Sequence, residues 1–421
     1  MSIAPSATHS FQPEQEPVVA RSLPRSPISA ADARTSGWHL DDLWLPAVVL
    51  RGQALEHNVD RFARWCGDHG VDLAPHGKTT MAPQLWSHQL ERGAWAITAA
   101  TVAQARVMHQ ASVSRVLIAN EVVEPAQLRW VGQALGDPDF DILCLVDSVT
   151  GVELAEKHLV DAPRPLPVLV ELGVGGRRTG IRSNDDALAL AERVDASPQL
   201  RLAGIEGYEG VLPQRRDDDA TTQARQWLAG LAELVVQADS RGYFADTAEV
   251  VVTAGGSGYP DLAALALTGL PELSRPVRTV VRSGCYITHD HLSYERTSPL
   301  RSAADPDPLR PALSCFARVL STPESGRSLL GVGKRDVAYD VDLPVPLSVR
   351  RGDDTDPIRD RARIVELNDH HGFCDHEPGL LEVGDVVELG LSHPCAVFEK
   401  WPLIPVLDNQ DNVTDAIRTL F

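Results

Sequence analysis

Pro167-Val168-Leu169-Val170-Glu171-Leu172, together with Asp141-Ile142-Leu143-Cys144-Leu145-Val146 before it, decides the fold. Neither run alternates apolar with polar residues as a half-exposed strand does. Each therefore reads as a strand covered on both faces, the mark of a parallel sheet flanked by helices. Six further runs of this kind stand at 71–74, 95–98, 115–119, 202–207, 249–253 and 278–282, and most gaps between the runs hold a helical pattern, as at 104–109, 187–194 and 221–238. Eight strand–helix units in about 250 residues fit a closed (β/α)8 barrel of the TIM type, with an open doubly wound sheet as the alternative.

On either side of the barrel the character of the chain changes. Residues 1–37 are rich in Ser, Pro and Ala and read as a disordered N-terminal arm, because they offer little apolar surface to bury. Residues 38–299 form the α/β barrel domain; within it 46–50 is a strand, and 53–69 is a helix whose Leu55, Val59, Phe62, Ala63 and Cys66 share one face. Beyond residue 300 the runs at 315–320, 328–332, 361–367, 385–389 and 396–398 are strand-like and separated by Pro and Gly turns. They predict a mainly-β C-terminal domain over 300–421, which the strand at 46–50 is placed to join.

Composition limits the partners. The chain has 421 residues, 43% of them hydrophobic, and 58 acidic against 39 basic residues give a net charge of -19, which argues against nucleic acid or an anionic membrane surface. No apolar run approaches the roughly 20 residues of a membrane span. Six scattered cysteines and an N-terminus without the charged and apolar regions of a signal peptide point to reduced thiols and a cytoplasmic location.

The chemistry falls at the C-terminal ends of the strands, where a barrel carries its active site. Lys78 follows the first strand; partly desolvated there it is a usable amine, although a surface lysine in a turn is the blander reading. Arg177 and Arg178 follow the fifth strand, Tyr208 the sixth, and Thr253-Ala254-Gly255-Gly256-Ser257-Gly258 the seventh. In that last run Thr253, Gly255, Gly256, Ser257 and Gly258 offer amide and hydroxyl donors to a phosphate, the alternative being an ordinary turn. A reactive lysine and a phosphate cradle on one barrel mouth suggest pyridoxal 5'-phosphate.

Pro75-His76-Gly77-Lys78-Thr79 resembles the cofactor-lysine motif of the D-serine dehydratase and D-threonine aldolase family. That family is the metal-dependent branch of the alanine-racemase-like fold, the fold type III pyridoxal phosphate enzymes. Further segments match in order: Arg178 and Gly180 after Glu171, the run from Gly204 to Gly210 around Tyr208, Arg282-Ser283-Gly284-Cys285-Tyr286, Asn368-Asp369-His370-His371-Gly372, and Ser392-His393-Pro394-Cys395. The resemblance spans residues 45–408. It departs at Ala74, Thr80 and Gly173, where the family often has an arginine, a histidine and an acidic residue, so the details of the cofactor's surroundings differ.

Residues two apart on a strand share a face, so His393 and Cys395 are candidates to hold one metal, a buried cysteine beside a turn histidine being the alternative. The resemblance implies the metal. Thiolate with imidazole favours zinc, and a carboxylate in place of Cys395 would have suited manganese better. His370, His371, Cys374 and His376 form a rival cluster, in which His371 is expected to shape the pocket and Cys374 and His376 to belong to a loop. His76 is either an aid to Lys78 or a satisfied strand-end histidine. Tyr286 is a cofactor-site residue, as a hydroxyl or as an aromatic packed under the ring.

The resemblance implies a lyase acting on D-β-hydroxy-amino acids such as D-serine or D-threonine, releasing a 2-oxo acid and ammonia. Retro-aldol cleavage to glycine and an aldehyde, as by a D-threonine aldolase, is the alternative; an amino-acid racemase and a non-catalytic carrier of the cofactor are further ones. It also implies a homodimer.

Overall fold

The continuous apolar runs become a ring of parallel strands in a computed structural model that describes residues 11–352 and 354–421. After β1 (Ala47–Arg51) come β2 (Asp72–Leu73), β3 (Ile97–Ala99), β4 (Arg115–Glu121), β5 (Asp141–Val146), β6 (Leu166–Leu172), β7 (Leu200–Gly207), β8 (Val250–Ala254) and β9 (Val277–Val281). Their order is β2-β9-β8-β7-β6-β5-β4-β3, every pairing parallel. A parallel bridge between His76 and Thr98 joins the two end strands, supported by the Trp95 amide on the Leu73 carbonyl at 2.7 Å and the Thr98 amide on the Pro75 carbonyl at 2.9 Å. The sheet is thereby a closed barrel rather than an open one.

Strand periodicity divides the apolar runs between two cores. Leu117, Leu143, Leu145, Leu169, Ala203, Val251 and Val280 fill the barrel interior. The alternate residues, such as Ile142, Cys144, Val168 and Val170, face outward onto the surrounding helices. The helix Asp218–Ser240 shows how these form: Asp217 caps it by accepting the Ala220 amide, and Ala224, Leu228, Leu231, Val235 and Ala238 lie along its buried face.

The second domain contains β10 (Leu313–Glu324), β11 (Arg327–Leu330), β12 (Val345–Arg351), β13 (Asp354–Pro357), β14 (Ala362–Leu367), β15 (Gly372–His376), β16 (Val386–Gly390), β17 (Leu403–Leu407) and β18 (Val413–Arg418). β1 lies inside this sheet, antiparallel to β10 and parallel to β17. The run at 396–398, expected as a strand, is instead the short helix Cys395–Phe398, because Pro394 adopts a helical backbone (φ -52°, ψ -35°) and turns the chain at that point.

Residues 11–37, expected as part of a disordered arm, pack against the β domain. Ala20, Leu23, Ile28, Ala30 and Ala33 are buried with Ala47, Val49, Phe316, Leu403 and Leu407, and Arg34 forms a forked pair with Asp415 at 2.9 and 3.1 Å. A few apolar residues suffice because the sheet supplies the rest of the core. The remainder of the expected arm, residues 1–10, lies outside the described residues. Among the described residues no helix is long and apolar enough to cross a membrane, and all six cysteines are free.

Leu50 is fully buried between β10 and β17. Leu50→Ala should cost about 2–5 kcal/mol. Chemical denaturation checks this, and a midpoint equal to wild type would show that β1 does not hold the domain together.

Candidate active site

Closure of the barrel sets the position of Lys78. The bridge at His76 is followed directly by a 3-10 turn over Gly77–Thr79, so the lysine sits on the rim of the mouth. Among the described residues none makes a hydrogen bond or ion pair with its amine. Gly284, in the loop after β9, packs on this turn: a Cβ there would lie 2.6 Å from Thr79 Oγ1 and 2.8 Å from the His76 carbonyl oxygen, closer than any side chain tolerates. The His76 ring is buried with Nδ1 unpartnered, and burial, reinforced by Lys78 and Arg282, holds it well below its ordinary pKa and therefore neutral.

Arg282 spans the mouth from β9. Its guanidinium donates to Thr253 Oγ1 at 2.7 Å and to the Gly207 carbonyl at 3.0 Å, and it pairs with the fully buried Glu206. Burial raises the Glu206 carboxyl and Arg282 pulls against that rise, leaving Glu206 Oε2 unpartnered inside the barrel. Arg178 lies over the Tyr208 ring at 4.6 Å from its centroid, and burial raises the Tyr208 hydroxyl to about 12. That ring rests on the glycine-rich loop: a Cβ at Gly256 would meet Tyr208 Cε2 at 2.6 Å.

The loop itself is used differently from the sequence expectation. Thr253 Oγ1 donates to the Val280 carbonyl, and the amides of Gly255 and Gly256 donate to Glu209 at 2.9 and 2.7 Å. Three of the five expected phosphate donors are thus committed within the protein, because Glu209 is buried beside them and takes the two amides. The amides of Ser257 and Gly258, and across from them those of Gly284 and Cys285, meet no protein acceptor among the described residues. Ser283 Oγ donates to the Gly256 carbonyl at 3.0 Å and ties the two loops together. Free amides from the loops after the seventh and eighth barrel strands are able to cradle a phosphate. Together with the unpaired lysine and the Tyr208 ring, they fit pyridoxal phosphate.

Tyr286 does not belong to this mouth. Its ring stacks on Phe62 at 4.3 Å and its hydroxyl accepts from Gln89 at 3.0 Å, so it fills the core between the helix Gly52–Asp68 and the barrel. The short turn at Cys285–Ile287 aims Cys285 at the mouth and Tyr286 away from it.

His393 and Cys395 come together, but not as strand neighbours. β16 ends at Gly390, His393 has a left-handed backbone (φ 49°), and Cys395 opens the following helix. His393 Nδ1 donates to Asp340 at 2.6 Å, and the His393 amide donates to Asp290 at 3.2 Å. Cys395 Sγ lies 3.4 Å from Thr79 Oγ1 and 4.0 Å from Cys285 Sγ, which places the pair beside the Lys78 turn. The Cys395 contact raises His393 to about 9; Cys395, hydrogen-bonded by Cys285 and then by His393, is held well below the usual thiol range. Among the described residues no three metal-ligating side chains converge. The rival cluster is dispersed: Cys374 is buried in β15, His376 bonds Ser328 at 2.8 Å, and His370 and His371 lie exposed in the turn before that strand.

Sequence reasoning assigned no role to Glu206, Glu209, Arg282, Asp340 or Glu121. An acidic or basic residue at the end of an otherwise apolar barrel strand was the available signal for Glu121, Glu206 and Arg282; Glu209 and Asp340 lie in turns and carried none. Glu121, at the end of β4, lies near Glu171 on β6 with both carboxyl oxygens unpartnered; burial, then the neighbouring Glu171 carboxyl, pushes Glu121 up to about 9.

Two family models match the chain, an alanine racemase N-terminal domain over residues 50–257 and a putative serine dehydratase domain over residues 312–407. The pairing defines a lyase of the alanine-racemase-like fold. The chain is 27% identical over 361 residues to a D-threonine aldolase from Arthrobacter sp, covering 84% of this chain and 86% of that protein. The crystal structure of D-threonine aldolase from Filomicrobium marinum matches with a TM-score of 0.77 at 24% identity, over 91% of this chain and 97% of that one. D-threo-3-hydroxyaspartate dehydratase from Delftia sp. HT23 matches with a TM-score of 0.70 at 21% identity, over 91% and 99%. Over most of its length the chain is similar to the D-serine dehydratase and D-threonine aldolase family, and it is an enzyme.

The ordinary pKa of Glu121 is 4.5 and the folded value is about 9. The fold therefore favours the neutral acid, a contribution complete below pH 4.5 and lost as the pH rises toward 9. Glu121→Gln, always neutral, should melt with wild type at pH 5 and above it at pH 9; melting curves that stay parallel across this range would remove the buried-acid assignment.

Proposed function

We propose that this enzyme is a pyridoxal phosphate- and zinc-dependent lyase that eliminates water from D-β-hydroxy-amino acids such as D-serine, the released enamine then taking up water and losing ammonia to leave a 2-oxo acid. The observation that carries the dehydration reading is the thiol and imidazole of Cys395 and His393 set beside the Lys78 turn. Solved variants of a D-threo-3-hydroxyaspartate dehydratase replace a histidine and, two residues on, a cysteine, the cysteine variant being in its metal-free form. His393 and Cys395 have that spacing. A soft thiolate with imidazole suits zinc better than manganese.

Pyridoxal phosphate, which Lys78 would hold, would supply an electron sink for negative charge at the substrate's α-carbon. Zinc on His393 and Cys395 would supply Lewis acidity toward a β-hydroxyl. The protein provides the rest. Lys78 Nζ would hold the cofactor and is the base placed to take the substrate's α-proton. The amides of Ser257, Gly258, Gly284 and Cys285 hold the phosphate. Arg282, fixed by Glu206 and Thr253, keeps a positive charge at the mouth, and Arg178 with Tyr208 confines the ring. Asp340 orients His393 by accepting from Nδ1, leaving Nε2 for a metal. Aldol cleavage is the second reading, favoured by the aldolase relative at 27% identity.

Lys78→Ala should lose the visible absorption of lysine-bound pyridoxal phosphate; its retention would refute the cofactor assignment. Chelation should abolish 2-oxo-acid release from D-serine, and zinc should restore it. Glycine and acetaldehyde from D-threonine, without a 2-oxo acid, would replace dehydration by aldol cleavage.

A further inference from the structure

Arg21 precedes both family-model regions by sequence, yet it reaches the segment that carries the thiol–imidazole pair and the segment that carries its partner Asp340. Its guanidinium stacks on Trp401 at 3.9 Å from the ring centroid, pairs with Asp336 at 3.0 Å, and donates to the Arg335 carbonyl at 3.1 Å. Asp336 is buried, with 3% of its side chain exposed, and its carboxylate is held by Arg21 on one oxygen and by the Gly333 amide at 2.9 Å on the other. Trp401 is fully buried, and its indole N–H donates to the Asp336 carbonyl at 2.7 Å. The three residues form a clasp that draws on chain segments far apart in sequence.

What the clasp holds lies next to the site. Trp401 stands three residues beyond the helix Cys395–Phe398, whose first residue is Cys395. Asp336 opens the segment that runs to Asp340, the acceptor for His393 Nδ1. Lys334 and Lys400 lie 5.7 and 5.8 Å from the ring centroid of Tyr339, linking the same two segments a second time. Metal-binding histidines depend on the group that fixes their second nitrogen, and displacing such groups weakens metal binding by roughly 10- to 100-fold.

We propose that Arg21 is a positioning residue for the metal pair, setting Asp340 and the Cys395 helix at their working separation through Asp336 and Trp401. This rests on the reading of His393 and Cys395 as metal ligands. The N-terminal segment is then part of the active site's support rather than an appendage.

The test is the affinity of the cofactor-loaded protein for cobalt(II), read from the thiolate-to-metal absorption band and by competition with a chelator. Arg21→Ala should weaken binding by roughly 10- to 100-fold. Arg21→Lys, which keeps the charge but loses the planar stack and fork, should fall between. Arg25→Ala, an exposed arginine of the same segment whose ion-pair distance to Asp32 is 4.0 Å, should bind as wild type. Should Arg21→Ala fold poorly, Arg21→Lys carries the comparison. A lower melting temperature with unchanged cobalt affinity in both Arg21 variants would overturn the proposal and leave Arg21 a structural clamp. A wild-type protein that binds no cobalt would overturn the metal reading itself, and the proposal with it.

Discussion

The hydrogen-bonded seam between β2 and β3 is the constraint on which the site depends. β2 is only two residues long in regular form, and the contacts of Leu73, Pro75 and His76 with the start of β3 are what make a ring from eight strands. Lys78 stands two residues beyond the last of these contacts. Its position relative to Arg282 and Tyr208 on other strands is therefore a property of the closed ring, which leaves little freedom at its seam.

A closed barrel with polar groups at one end must balance charge in a poorly hydrated space. Here Glu206 opposes Arg282, Glu209 takes two loop amides, and Glu121 lies buried and unpartnered beside Glu171. Each carboxyl has a different solution to burial: an ion pair, a nest of amides, or protonation. The outcome is a rigid set of donors around the lysine, which suits a cofactor whose own chemistry needs orientation more than assistance.

The β domain completes the mouth from outside the barrel. It is anchored through β1, whose residues precede the barrel yet pair inside the second sheet, and it delivers His393 and Cys395 to the Lys78 turn. The N-terminal segment then lies across this domain and reaches Trp401. Barrel, sheet and N-terminal segment meet around a small volume although each is built by local rules of its own.

The sequence by itself determined the barrel, because strands buried on both faces must be apolar throughout, and it singled out Lys78, Arg178, Tyr208, His393 and Cys395. Composition misled at residues 11–37, since Ala20, Leu23 and Ile28 find their apolar partners on a sheet hundreds of residues away. Only the tertiary structure decided that Glu209 takes the amides of Gly255 and Gly256, that Tyr286 turns into the core, and that the free amides come from two loops instead of one. The physical reason is the same in each case. Periodicity records which residues are buried, whereas hydrogen-bond partners depend on which buried groups the closed ring brings face to face.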